Sequence, residues 1–251
     1  MTAMLGMYNM PALQAANDAF WTEIRAQLGD GPRTLDRDRD FWDIWHDPQM
    51  VFSQTCGMPY RTKLHGTVSL VGTPDYGLPD CPPGYYYSTF VARADDPRPL
   101  EELVTGTFAY NEPLSQSGWA APTTHLHSLG LQVNTLLQSG GHALSAQAVA
   151  EGRADLAALD ALTWVLLTEH EPDLAGNLRV VARTAPTPTL PYVTARSRDP
   201  APIAAAVRSA IAAMDEDTRQ LLHIRGLIDI PSEVYLAVPT PPSPAEKDSS
   251  V

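Results

Sequence analysis

The residues of this sequence that are best placed to do chemistry form the turn Ser115-Gln116-Ser117-Gly118. A stretch with strand character, Thr107 to Asn111, leads into this turn, and helical spacing follows it. Two hydroxyls, a side-chain amide and the N–H groups of a helix start therefore converge there. Such a set can bind an anion without lysine or arginine. The alternative is that Ser115 or Ser117 only caps the helix.

A second candidate donor follows a pair of glycines. His142 comes directly after Gly140-Gly141, at the start of the helical segment Ala143 to Glu151. Glycine lets a backbone approach a ligand closely, and imidazole can donate to an anion in its neutral or charged form. The alternative is a histidine that serves only the structure or the surface.

Other polar residues follow apolar strands directly, which is where ligands bind in α/β folds. Asp160 ends the strand Ala154 to Leu159, and it either faces a ligand or caps the next helix. Three further polar residues follow predicted strands in the first quarter of the chain. They are Tyr8, Gln54 and Thr55.

The sequence lacks the common catalytic and nucleotide-binding motifs, and its histidines are poorly spaced for a metal site. The sequence has no Gly-x-Ser-x-Gly elbow, no phosphate-binding loop ending in Gly-Lys-Ser/Thr and no Gly-x-Gly-x-x-Gly after its first strand. His125 and His127 would point to different faces of a helix, so we expect no metal and no cofactor. Cys56 and Cys81 are either two small apolar side chains or one disulfide in an exported protein.

The composition is that of an acidic globular chain. With 251 residues, 44% of them hydrophobic, it can form one large or two small domains. Its 17 basic and 29 acidic residues leave a formal charge of −12, which repels nucleic acids and anionic lipids. No apolar run reaches the roughly 18 residues that cross a bilayer, so we expect no membrane insertion. The first residues lack the basic and apolar regions of a secretory leader, so we expect either a cytoplasmic protein or one whose leader was removed.

Alternating short apolar runs and helical segments predict an α/β architecture. Extended connectors near 85–92 and 184–195 bracket the middle third of the chain. We therefore predict a discontinuous first lobe (1–87 and 190–238), an inserted second lobe (88–189) and a ligand cleft between them. The proline-rich residues 239–251 are predicted to be a disordered tail.

The run from Tyr110 to Gly118, the later Gly141-His142 and the strand up to Asp160 resemble the phosphate/phosphite/phosphonate substrate-binding proteins of ABC importers. The resemblance extends from Leu5 to about Val234. It implies the type II periplasmic-binding-protein fold, with two α/β lobes, two crossover segments and a central cleft. In that family, a Ser-Thr-Ser-Gly turn and a histidine after a glycine hold the phosphonate oxygens.

By this resemblance, Ser115, Gln116, Ser117 and His142 hold the anion. Tyr8 matches an aromatic contact, and Asp160 matches an acid that can meet a ligand amine. Gln116 replaces a threonine of the family pattern, which adds bulk and an amide to the anion cradle.

The predicted function is non-catalytic binding of a small phosphonate- or phosphate-like anion, by a monomer that serves an ABC permease. The resemblance implies a periplasmic location. If Met1 is the true start, a leaderless cytoplasmic protein is expected instead. The alternatives are a cytoplasmic ligand sensor and an enzyme on the same fold, related to pyrimidine-precursor synthases.

Overall fold

The computed structural model describes residues 1–244, which form two compact units. The first unit contains Met1–Tyr85 and Pro188–Ala237. The second contains Tyr86–Thr187 and the segment that begins at Val238. The chain therefore passes from one unit to the other at three points. The boundaries of the lobes given above stay a prediction.

Strands and helices alternate along most of the chain. The strands are β1 (Thr2–Met4), β2 (Met50–Gln54), β3 (Val68–Asp75), β4 (Tyr85–Tyr86), β5 (Ser88–Arg93), β6 (Thr107–Tyr110), β7 (Thr135–Gln138), β8 (Leu156–Asp160), β9 (Leu178–Arg183), β10 (Thr187–Pro188), β11 (Tyr192–Ala195) and β12 (Gly226–Ile228). The helices are α1 (Gln14–Leu28), α2 (Phe41–Trp45), α3 (Gly57–Pro59), α4 (Leu100–Leu103), α5 (Ala121–Ser128), α6 (His142–Ala150), α7 (Ala161–His170), α8 (Pro172–Gly176), α9 (Pro200–Ala213), α10 (Glu216–Leu222) and α11 (Ser232–Leu236).

The first unit is built on a sheet with strand order β1-β2-β11-β3-β12. β1 is parallel to β2, and β11 is antiparallel to both β2 and β3. The carboxyl ends of β1, β2 and β3 therefore share one edge of the sheet. Helix α1 buries Phe20, Trp21 and Ile24, which lie on one face of the helix. It ends at Gly29, whose positive φ of 70° suits glycine.

The second unit is built on a sheet with strand order β7-β6-β8-β5-β9. β6 is parallel to β7 and β8, whereas β5 is antiparallel to β8 and β9. Every residue of β8 is buried, which explains why this strand reads as a continuous apolar run.

The first connector, near 85–92, which the sequence predicts to be extended, is not one continuous strand. The chain forms two strands there, β4 and β5, with a break at Tyr87. The break has a physical reason: β4 pairs with β10, whereas β5 joins the sheet of the second unit. The strand is interrupted at Tyr87 because the residues before it and after it form hydrogen bonds with different strands.

The predicted disordered tail, 239–251, lies outside the described residues from Ala245 onward. Before that point the chain lies on the second unit, where the Trp119 indole N–H donates to the Pro242 carbonyl over 2.9 Å. Pro244 is buried. None of the helices in residues 1–244 is long and apolar enough to cross a membrane. Cys56 and Cys81 are both partly exposed, and no disulfide joins them in the structure.

Candidate functional site

The sheet of the second unit gathers polar residues at one edge. β6, β7 and β8 are parallel, so the segments after Tyr110 and Gln138 and the side chain of Asp160 emerge together. β5 runs the other way and begins at the same edge with Ser88, which lies opposite Asp160 in the ladder. Strand direction alone thus brings four segments that are distant in sequence to one place.

The turn after β6 is a wide helical turn capped by serine. Ser115 has extended backbone angles, and its Oγ accepts a hydrogen bond from the Gly118 N–H over 2.9 Å. The Ala120 N–H donates to the Ser115 carbonyl over 2.9 Å, five residues back, which makes the turn wider than an α-helical one. Capping by Ser115 is therefore observed. Gln116 and Ser117 follow in the turn, and both are buried.

His142 reaches the turn from α6. Its Nε2 lies 2.9 Å from Ser117 Oγ, at hydrogen-bonding distance. The ends of β6 and β7 are tied together just before this contact, because the Ser139 N–H donates to the Tyr110 carbonyl over 2.8 Å. The Gly140 N–H donates to the Asn111 carbonyl over 3.0 Å. The structure therefore joins the two predicted anion donors, Ser117 and His142, in one local cluster.

Burial makes His142 a poor proton acceptor. It lowers the pKa of His142 to about 4, and the Ala158 carbonyl acts in the opposite direction. The imidazole is therefore neutral near pH ~7, where it can donate one hydrogen and accept another. A neutral His142 therefore places an uncharged imidazole beside the turn, near the N–H groups of two helix starts.

We predict that His142 makes the folded protein less stable in acid. Its folded pKa of about 4 lies below the ordinary value of 6.5, so the unfolded chain binds the proton first as the pH falls. The free energy of unfolding should therefore decrease from about pH 6.5 downward, by at most about 1.4 kcal/mol per pH unit.

Urea denaturation at about pH 7 and about pH 5 measures this loss. His142→Gln should lose less stability than the wild type between the two conditions. The exposed His127 provides the control, and His127→Gln should follow the wild type. An equal loss in His142→Gln and the wild type would contradict the assignment.

Asp160 combines burial with a capping role. Its Oδ1 accepts hydrogen bonds from the N–H groups of Leu162 and Thr163, over 2.8 and 3.1 Å, at the start of α7. The capping interpretation is therefore observed. A contact between the Asp160 carboxylate and a ligand amine stays a prediction.

Sequence reasoning missed Ser88 and Thr184 at this edge. The Ser88 N–H donates to Thr184 Oγ1 over 2.9 Å, and Ser88 Oγ is buried without a hydrogen-bond partner among the described residues. Ser88 begins β5, which runs antiparallel to β8, whereas Thr184 directly follows β9, the edge strand that pairs with β5. No local motif signals such a position, because only the pairing of β5 with β8 places Ser88 beside Asp160.

The predicted residues of the first unit lie at the carboxyl edge of its own sheet. The rings of Tyr8 and Tyr76 pack edge to face, with centroids 5.5 Å apart. Gln54 donates both amide hydrogens within the unit, to Tyr76 Oη over 2.9 Å and to the Leu190 carbonyl over 3.0 Å. Thr55 Oγ1 is buried without a partner among residues 1–244. Gln54 thus has a structural role, and its contact with a ligand stays a prediction, as do those of Tyr8 and Thr55.

The histidines of α5 do not form a metal site. His125 packs on Phe90, with ring centroids 5.7 Å apart, whereas His127 is exposed. Among the described residues, no group of three or more histidine, cysteine, aspartate or glutamate side chains is arranged to hold a metal ion.

A known protein family matches most of the chain. Residues 53–230 match the model described as the periplasmic substrate-binding protein of phosphonate ABC transporters. The matched range includes the whole turn after β6, His142 and Asp160. No protein of curated function matches the sequence.

Several solved structures share the fold. PhnD1 from Prochlorococcus marinus, in complex with methylphosphonate, has a TM-score of 0.74 and 16% identity, over 93% of this chain and 94% of that one. A binding protein component of an ABC phosphonate transporter from Pseudomonas aeruginosa has a TM-score of 0.70 and 14% identity, over 93% of this chain and 83% of that one. A histidine kinase sensor domain with similarity to periplasmic binding proteins has a TM-score of 0.60 and 16% identity, over 92% of this chain and 98% of that one. The predicted two-lobe α/β fold is confirmed.

Proposed function

This chain belongs to the family of periplasmic substrate-binding proteins of phosphonate ABC transporters, and we propose that it binds a small phosphonate- or phosphate-like oxyanion without converting it. The site is the cluster at the carboxyl edge of the second unit's sheet. The observation that carries the proposal is the 2.9 Å contact between Ser117 Oγ and His142 Nε2, beside a serine-capped turn.

The cluster offers a tetrahedral anion several neutral donors. In the tautomer that carries the hydrogen on Nε2, Ser117 accepts from His142 and keeps its own hydrogen to donate to a ligand oxygen. Gln116 adds a side-chain amide in the same turn, and the helix starts after Ser115 and Gly141 add a favourable dipole. Residues 111–118 and 139–142 contain no lysine or arginine.

A serine beside a histidine could also be a nucleophile with its general base, and two observations favour binding instead. The pKa of about 4 makes His142 a weak base near neutral pH. No carboxylate orients the imidazole through Nδ1, which has no hydrogen-bond partner of ordinary geometry among the described residues. The pair is therefore suited to hold an anion, and an ABC permease is the expected partner for the loaded protein.

Calorimetry with a panel of anions tests the proposal. We expect methylphosphonate, phosphite or phosphate to bind with 1:1 stoichiometry and to be recovered unchanged. Sulfate and malate probe whether a fully ionised tetrahedral anion or a carboxylate fits as well. If no oxyanion binds, or if a bound phosphonate is converted, the proposal is wrong.

A further inference from the structure

The last described residues, 238–244, belong to the second unit, and we call them the C-terminal strap. Prolines occupy most of it, at positions 239, 241, 242 and 244. Proline fixes φ and reduces the freedom of the unfolded chain, so docking such a segment costs little conformational entropy. The composition that suggested disorder thus also suits a stiff strap.

The strap is fastened at Trp119. The indole N–H donates to the Pro242 carbonyl over 2.9 Å, and the Trp119 side chain is fully buried. A buried indole N–H needs an acceptor, because leaving it without one in the protein interior is destabilising. The Trp119 ring also packs against the ring of Tyr110, the last residue of β6, with ring centroids 5.4 Å apart.

Trp119 belongs to the turn that carries the anion donors. It lies two residues after Ser117, within the wide turn Gln116–Ala120. Wide turns of this kind are rare and depend on their surroundings, because they give up the regular i to i−4 hydrogen bonds of an α-helix. Fixing Trp119 between Tyr110 and Pro242 therefore fixes the position of the turn.

We propose that the C-terminal strap positions the anion turn, so that docking of the strap and binding of the anion stabilise each other. The inference rests on the proposed function for its ligand, although the contact itself lies within the second unit. Coupling of this kind is reciprocal, so an anion that favours the ordered turn must also favour the docked strap. The family match ends at residue 230, before the strap begins, so the coupling is carried by a segment beyond that match.

Trp119→Phe tests the anchor, because it keeps an aromatic ring and removes the N–H. The double variant Pro241→Gly/Pro242→Gly changes the strap instead of the anchor. It leaves Trp119 intact and makes the backbone of the strap more flexible. Trp164→Phe is the matched control, as Trp164 lies half-buried in α7 of the same unit.

Hydrogen exchange of the full chain without ligand is the first readout. Both test variants should speed exchange at Thr240 and Ser243, the amide-bearing residues between Pro239 and Pro244. They should also speed exchange at Gly118 and Ala120, whose N–H groups close the turn, by roughly fivefold for a loss of about 1 kcal/mol. The control should change none of these rates. Faster exchange in the strap with unchanged exchange at Gly118 and Ala120 would overturn the proposal.

Calorimetry with methylphosphonate is the second readout. Both test variants should bind it about 3- to 10-fold more weakly than the control. Methylphosphonate should also slow exchange at Thr240 and Ser243 in the wild type, and unchanged rates on binding would contradict the coupling. If the wild type binds no anion while the variants still speed exchange at Gly118, the proposed function is wrong and the positioning of the turn stands.

Discussion

Replacing Ser117 by alanine should weaken binding of methylphosphonate by roughly 10- to 100-fold, because it removes the hydrogen bond that we propose between Ser117 and the charged ligand. The same change deprives His142 Nε2 of its partner, which lies 2.9 Å away in the wild type. Removing Ser117 Oγ therefore affects two groups of the cluster, the Ser117 hydroxyl itself and the His142 imidazole. Calorimetry at fixed ionic strength measures the change.

Ser128→Ala is the matched control for this experiment. Ser128 lies at the exposed end of α5, where its hydroxyl donates to the His125 carbonyl over 2.7 Å. The control should bind methylphosphonate like the wild type. Equal affinities of Ser117→Ala and Ser128→Ala would show that the anion binds elsewhere. Thermal unfolding of both variants separates a loss of affinity from a loss of the fold.

Replacing Gly118 by alanine should have the larger effect, because the turn has no room for a side chain. A Cβ at this position would lie inside van der Waals contact with Asn111 Oδ1 and 3.2 Å from Ser115 Oγ. The colliding atom is the end of the Asn111 side chain, so either this amide or the turn must move to admit the methyl group. We expect a loss of stability of about 1–3 kcal/mol and loss of measurable methylphosphonate binding.

A matched pair of variants identifies the cause. Gly176→Ala should be harmless, since nothing lies within 4 Å of a Cβ built there and its φ is not positive. Adding Asn111→Ala to Gly118→Ala removes the colliding amide and should restore part of the melting temperature. If Gly118→Ala is as stable and binds as tightly as Gly176→Ala, the close packing of the turn is not required.

Features that depend on neighbours in the chain were predictable. Ser115 caps its turn through an N–H three residues ahead, and Asp160 caps α7 through N–H groups two and three residues ahead. Helix α1 and strand β8 follow from apolar spacing over a few turns or residues. In each case the residues involved lie within a few positions of one another, so the sequence pattern alone predicts their arrangement.

Features that depend on strand pairing were not predictable. Ser88 lies beside Asp160 only because β5 pairs antiparallel with β8. Gln54 was predicted as a ligand contact from its place after a strand, yet its amide binds Leu190, far along the chain. A polar residue at a strand end has the same sequence signature whether it meets a ligand or another part of the fold.

The turn, the glycines before His142 and the order of strands and helices were determined by the sequence alone, because capping, glycine conformation and apolar spacing act over a few residues. Only the tertiary structure decided that His142 meets Ser117 and that Pro242 accepts from Trp119. These contacts join segments whose separation along the chain says nothing about their distance in space. Their formation depends on the parallel ladder of β6, β7 and β8 and on the packing of a stiff C-terminal segment, and both arise only when the second unit folds as a whole.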